Sequence, residues 1–262
     1  MRLFFSILLL LNLAGCTKNS YKHISIFGHA GMGLSMQNAI YHNNSKEAVE
    51  LCLSFPGSNG VEVDIQMDQQ GCLWLYHDDF LDQITSLGGC INSKNTSEIE
   101  QGHYKTLKKE KLVKLIEILP LIKSNQKIFL DLKIANSCSN NLVDYQLFKQ
   151  SLTLALSSIS ENVCLITNDA FWLSELAEQY RTYFSSDNFE LSKQIIAENP
   201  NCKGLVIRNK AIDKSQISYL KSLGKEIYLF DIRSPKGNRD ALKKDPNGII
   251  TDDIRAALIE RE

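Results

Sequence analysis

A chain of 262 residues that is 44% hydrophobic and 23% charged has an ordinary globular composition. That is enough for a full core, built either as one large α/β barrel or as two smaller domains. Its formal net charge of −1 argues against nucleic acid as a partner, because phosphate-backbone binding needs a concentrated basic face.

The chain opens on MRLFFSILLLLNLAGC: Arg2, an apolar run from Leu3 to Leu13, then small residues ending in Cys16. The run is too short to span a bilayer as a stable helix and reads as a signal peptide over residues 1–15. Leu13-Ala14-Gly15-Cys16 resembles a bacterial lipobox, which implies cleavage before Cys16 and lipidation of its side chain. A plain secretory signal is the alternative. Acyl chains on Cys16 would anchor the protein to a membrane of the cell envelope, on its periplasmic or surface face, without spanning it. Residues 16–23 then serve as a short tether, and residues 24–262 read as a single domain with no internal repeat.

From residue 24 onward apolar runs alternate with helical patterns. Strands are predicted at 24–28, 60–66, 72–77, 127–133, 163–167, 182–185, 203–207, 225–230 and 248–251. Helices are predicted near 44–55, 111–124, 144–160, 170–181, 188–198, 214–223, 236–245 and 253–260. Alternation of this kind implies a parallel sheet covered by helices. The turn signal MDQQG at 67–71 makes 60–66 and 72–77 a hairpin-like pair, and setting one member aside leaves eight strands, the number of a (β/α)₈ barrel. A doubly wound open sheet is the alternative, but GHAGMG, with glycines at 28, 31 and 33, matches neither the dinucleotide fingerprint nor a Walker A loop. Residues 78–110, rich in Gly, Ser, Asn and Thr, read as one long excursion after a strand, and long loops in barrels are usually functional.

Six cysteines follow Cys16, at 52, 72, 90, 138, 164 and 202. An exported location permits disulfides, and the sequence leaves their pairing open. None has zinc-ligand spacing, and several lie in apolar strands where a buried free thiol is the expected state.

Barrel chemistry collects at the carboxyl ends of the strands, so the ionisable residues there carry the argument. The first strand ends at His29. The second, GVEVDIQ, places Glu62 and Asp64 two apart and on one face, while Val61, Val63 and Ile65 occupy the other. The apolar face must meet the helices, so the acidic pair faces the interior, where carboxylates without compensation are costly and call for a cation. The next strand ends at His77 followed by Asp78, the fourth carries Asp131 and Lys133 on one face, and the last ends at Thr251 and Asp252. Each has a structural reading: a turn cap for His29, an ion pair for Asp131–Lys133, an N-cap of the final helix for Asp252. Their coincidence at one end of the sheet favours a site. Glu62, Asp64 and Asp131 supply hard oxygen ligands suited to Ca²⁺ or Mg²⁺.

In this order and spacing, His29-Ala30-Gly31, His42-Asn43-Asn44-Ser45, Glu62-Val63-Asp64, His77-Asp78, Asp131-Leu132-Lys133 and Thr251-Asp252 resemble the glycerophosphodiester phosphodiesterases over residues 24 to about 255. The resemblance implies a (β/α)₈ TIM barrel with a small insertion after the second unit and a divalent metal held by Glu62, Asp64 and Asp131. It also implies general acid/base work by His29 and His77, with Lys133 and Asn44 at the phosphate. The activity implied is cleavage of a small-molecule glycerophosphodiester to glycerol 3-phosphate and an alcohol. The pattern departs from the family at Ala30, where an arginine is usual, at Asn43 in place of a glutamate, and at Asp131 in place of a longer glutamate. Two alternatives stay open: a lipid-anchored binding protein that kept the barrel and lost turnover, and phospholipase D-like attack on lysophospholipids.

Overall fold

The computed structural model describes residues 21–34, 39–135, 137–138, 143–157 and 159–262. The expected signal peptide and lipidated Cys16 lie outside the described residues. No helix among the described residues is long and apolar enough to cross a membrane.

Nine strands occur among the described residues: β1 (Ser25–His29), β2 (Gly60–Met67), β3 (Leu73–Leu75), β4 (Lys127–Leu132), β5 (Val163–Thr167), β6 (Arg181–Ser185), β7 (Gly204–Arg208), β8 (Glu226–Ile232) and β9 (Gly248–Thr251). Eight of them pair in parallel in the order β1-β2-β4-β5-β6-β7-β8-β9, and β9 pairs back onto β1, so the sheet closes into the expected (β/α)₈ barrel. The strand to be set aside is β3, which pairs antiparallel with Ile65–Met67 of β2, beyond the point where β1 ends.

The α-helices among the described residues are α1 (Lys46–Ser54), α2 (Thr96–Ile99), α3 (Leu115–Ile118), α4 (Tyr145–Leu156), α5 (Ala170–Leu176), α6 (Phe189–Glu198), α7 (Lys214–Ser222), α8 (Pro235–Leu242) and α9 (Ile254–Arg261). Most barrel helices start on a side chain that satisfies the open N–H groups of the first turn: Ser45, Asp144, Asp169, Asn188, Asp213, Ser234 and Asp253. The helix expected over 111–124 is much shorter. Val113 accepts a hydrogen bond from the Leu75 amide and Lys114 bridges Trp74, so residues before 115 extend β3's edge instead. Pro120 then turns the chain into a 3₁₀ turn at Leu119–Leu121. The helix expected to reach 181 stops at Leu176, and Arg181 opens β6.

Side-chain parity sorts the core into two layers. Val61, Val63 and Ile65 of β2 join Ile128, Leu130, Leu205, Leu229 and the helix faces in the main cluster outside the barrel. The alternate residues fill the interior: Phe27, Phe129, Tyr183 and Tyr228 pack edge to face or tilted, their ring centroids 4.8–5.9 Å apart, beside Cys164, Ile166, Val206 and Ile250. This aromatic plug closes the barrel, so everything above it is a pocket with a floor.

Residues 78–110 leave after β3 and return ahead of α3. They carry a core of their own, in which Leu81, Ile91, Ile99 and Tyr104 pack on Trp74, Tyr76 and Leu112. A Cys90–Cys138 disulfide ties this insertion to the segment after β4. Cys164 of β5 is a buried free thiol, as expected of a strand cysteine; Cys52 and Cys202 are buried and free as well, and Cys72 is a half-buried free one.

Candidate active site

The polar strand ends meet around a cavity of about 490 Å³ above the aromatic plug. His29, Glu62, Asp64, His77, Asp131 and Lys133 all line it. Register explains the convergence: Glu62 is level with His29 on one side and Phe129 on the other, and Asp64 is level with Asp131. Residues two apart on adjacent parallel strands therefore stack the acids just above the rings.

One ligand oxygen from each of Glu62, Asp64 and Asp131 lies within 4.8 Å of the others. They are not equally satisfied. Asp64 is 1% exposed; Lys133 Nζ donates to its Oδ1 at 2.9 Å and Asn44 Nδ2 to its Oδ2 at 2.8 Å. Burial works against its charge, but Lys133, His77 and Asn44 together hold its carboxyl below the ordinary range. Lys133 also donates to Asp131 Oδ2 at 2.6 Å, and the two acids outweigh burial to keep it charged. Among the described residues Glu62 has only the Ala30 amide at 3.1 Å and His29 at 3.8 Å. Burial and then the neighbouring Asp64 push its pKa up to about 8. A buried carboxylate short of a counter-charge, beside two more, is a donor set that fits a hard divalent cation.

Asn44 was expected at the phosphate. It is fully buried, at φ +56°, and both ends of its amide are spent on Asp64: Nδ2 donates to the carboxylate and Oδ1 accepts the Asp64 amide at 3.1 Å. It is not among the residues that line the cavity, and it holds Asp64 in place.

Each histidine is oriented through Nδ1 by a carboxylate, leaving Nε2 for the cavity side. His29 donates to Asp252 Oδ1 at 2.6 Å, and His77 donates to Asp78 Oδ1 at 2.7 Å. Burial of His29 disfavours its charge, yet Asp252 and Glu62 overcome that and raise its pKa to about 9. His77 is raised as well, through its bond to Asp78. The turn that presents His29 is sterically tight. A Cβ on Gly28 would fall 2.1 Å from the Gly31 carbonyl oxygen and 2.5 Å from Cys52 Sγ, so glycine is required there.

The N-cap expectation for Asp252 is corrected. Asp253 caps α9, accepting from the Ala256 amide at 3.0 Å. Asp252, 2% exposed, points inward and also takes the Leu34 amide at 3.1 Å. Parity could have revealed this, since Asp252 stands two residues after the interior Ile250. The cavity's other wall was not foreseen: Asn168, Ser185, Asp187, Arg208, Asp231 and Arg233 from the ends of β5 to β8.

Residues 33–256 match the model of the "Glycerophosphoryl diester phosphodiesterase family". A curated glycerophosphodiester phosphodiesterase of Bacillus altitudinis is 26% identical over 117 residues, covering 43% of this chain and 45% of that protein, less than half of its length. Among solved structures, a glycerophosphodiester phosphodiesterase of Thermotoga maritima superposes with TM-score 0.71 at 19% identity, over 90% of this chain and 97% of the other. A phosphodiesterase of Oleispira antarctica, solved in complex with the product sn-glycerol-3-phosphate, superposes with TM-score 0.74 at 18% identity, over 90% and 96%. At such identities the superpositions speak for the fold.

Proposed function

The chain belongs to the glycerophosphoryl diester phosphodiesterase family, an enzyme family, and from that premise we propose that it hydrolyses small-molecule glycerophosphodiesters to glycerol 3-phosphate and an alcohol. The observation that supports this most is the meeting of the Glu62–Asp64–Asp131 cluster with two carboxylate-bound histidines on one cavity.

Glu62, Asp64 and Asp131 would hold a divalent cation, Ca²⁺ or Mg²⁺. Such an ion, when bound, acidifies a hydroxyl and offsets charge on phosphorus. The remaining work falls to the chain. Lys133, fixed as a cation by two acids, draws the phosphate to the same spot. His77 takes the proton of the attacking glycerol hydroxyl as its oxygen bonds to phosphorus. The bond to the alcohol breaks, and the leaving oxygen takes a proton from His29, which Asp252 keeps charged at neutral pH. Water then opens the cyclic diester to glycerol 3-phosphate. Each histidine contributes ~10²–10⁴-fold on this scheme.

Release of glycerol 3-phosphate from glycerophosphocholine, with Mg²⁺ or Ca²⁺ and then with chelator, tests the activity. No release with either ion would refute it. The split of roles has its own test. With a p-nitrophenyl glycerophosphodiester, whose leaving group needs no acid, His29→Ala should lose far less rate than His77→Ala. Equal losses would reverse or void the assignment.

For residues 1–16 we propose export and anchoring through lipid on Cys16, placing the enzyme at the cell envelope. The support is the Leu13-Ala14-Gly15-Cys16 pattern alone. Mass spectrometry of the mature N-terminus should find an acylated Cys16, and an unmodified residue there would rule the anchor out.

A further inference from the structure

Across the barrel from Lys133, β8 is irregular where it reaches the cavity. Its pairing with β9 shifts register between Leu229 and Ile232, and Asp231 adopts φ +60°. For a residue with a Cβ that conformation is strained, and bulges at barrel rims commonly re-aim a side chain. Here the re-aimed carboxylate joins two arginines. Asp231 Oδ2 accepts from Arg208 Nη1 at 3.1 Å, and Oδ1 accepts from Arg233 Nε at 2.8 Å.

The two arginines differ in what they have left to offer. Arg208 is committed: its Nε donates to Asp187 at 2.9 Å, and its guanidinium lies over the Phe230 ring at 5.1 Å. Arg233 is held through Nε only. Among the described residues its Nη groups have no hydrogen-bond partner, although the side chain lines the cavity. Its Nε also stands 3.9 Å from Asp252 Oδ2, the carboxylate that orients His29. The structure thus presents an anchored guanidinium, with its fork unused, next to a proposed proton donor. β8 lies four strands from β4 in the eight-strand circle, so Arg233 faces the Lys133 wall.

We propose that Arg233 binds an oxyanion of the substrate through its Nη groups, with Asp231 as its positioning residue and Arg208 as the brace of Asp231. This rests on the phosphodiesterase reading above. Two parts of such a substrate could supply the oxyanion: the scissile phosphoryl group, or an acidic group on the alcohol. Proximity to the His29–Asp252 pair favours the phosphoryl group, since proton transfer to the leaving oxygen brings phosphorus there.

The experiment uses Arg233→Ala, Arg233→Lys and Asp231→Asn in the full chain, asparagine being chosen because it tolerates the left-handed backbone. Calorimetry in Mg²⁺ buffer would follow binding of sn-glycerol 3-phosphate and of inorganic phosphate, and steady-state assays would compare glycerophosphocholine with glycerophosphoserine. Arg233→Ala should weaken glycerol 3-phosphate binding at least about tenfold, the scale of a lost charge-assisted pair. It should raise KM for both diesters alike, while Mg²⁺ affinity and Tm stay unchanged. Lysine should recover part of the loss, and Asp231→Asn should fall between. A loss confined to glycerophosphoserine would support an oxyanion site on the alcohol side. Less than a twofold change in every one of these would overturn the proposal. Were the wild type to turn over no diester, the phosphodiesterase reading would fail by itself. Phosphate binding would then still decide the role of Arg233, which falls if wild type and Arg233→Ala bind phosphate equally.

Discussion

Two glutamates enter this barrel at opposite ends and behave in opposite ways. At the amino-terminal end of β8, Glu226 accepts from Arg181 at 2.7 Å, from the Tyr183 hydroxyl at 2.7 Å and from the Tyr228 hydroxyl at 3.0 Å. Burial opposes its charge, but these partners hold its carboxyl below the ordinary range. At the other end of the barrel Glu62, more deeply buried, has one backbone amide and a histidine at 3.8 Å, and its pKa is pushed up to about 8. The aromatic plug separates the two. The chemistry of the side chain is the same; the number of donors around it differs. A fully partnered buried acid serves the fold, and one left short of partners marks where something else is meant to bind.

The largest effect that would break this comparison concerns activity. Glu62→Gln should cut kcat/KM by at least about 10²-fold, the scale on which perturbed metal sites fail, yet raise Tm measured in chelator at pH 9, where cation-free Glu62 has lost its proton and its charge is repelled by Asp64. A drop in Tm in chelator would mean that Glu62 is a structural acid like Glu226.

Next in size, Glu226→Ala should destabilise by roughly 2 kcal/mol, since it strands an arginine and two hydroxyls. For a domain of this size that is a fall in Tm of about 4–8 °C. Activity per folded molecule should be unchanged.

The pH dependence separates the two acids by sign. Glu226 is lowered, so its stabilisation is present above its ordinary range and lost as pH falls through the lowered value. Glu62 is raised, so cation-free protein loses stability as pH climbs from its ordinary 4.5 towards about 8. His29 acts in the same direction: its contribution is full below 6.5 and is lost as pH rises through about 9. Thermal scans in chelator should therefore decline from pH 6 to pH 9, and Mg²⁺ should raise Tm more at pH 8 than at pH 6. A rise of equal size at both would show that the cation does not compete with a proton on Glu62.

The smallest effect tests the neighbouring acids at the end of β9. Asp253→Ala should cost about 1 kcal/mol as a lost N-cap and leave turnover intact. Asp252→Asn should leave the helix alone, lower the His29 pKa in an NMR titration, and reduce kcat.

Local order carried much of this into plain view. Period-2 alternation in GVEVDIQ assigned Val61, Val63 and Ile65 to the helices and Glu62 and Asp64 to the interior, because neighbouring side chains on a strand must point opposite ways. Helices expected near 44–55 and 144–160 are found at Lys46–Ser54 and Tyr145–Leu156. The βα alternation, with one strand of the hairpin set aside, amounted to eight barrel strands. Where local signals misled, a distant partner had intervened: residues 111–114 look helical alone, but Lys111 bridges His103 while residues 113 and 114 pair with β3.

What the sequence determined by itself was the fold class, the inward face of each strand and the end at which the ionisable residues collect, all of which follow from periodicities along a few neighbouring residues. Tertiary structure alone decided which of those residues touch. Closure of β9 onto β1 brings Asp252 to His29 across 223 positions, Asn44 reaches β2 to clamp Asp64, and the irregular end of β8 sets Asp231, at φ +60°, against Arg233. Such pairings depend on strand register and on a closed circle of hydrogen bonds, and neither is written in any short stretch of chain.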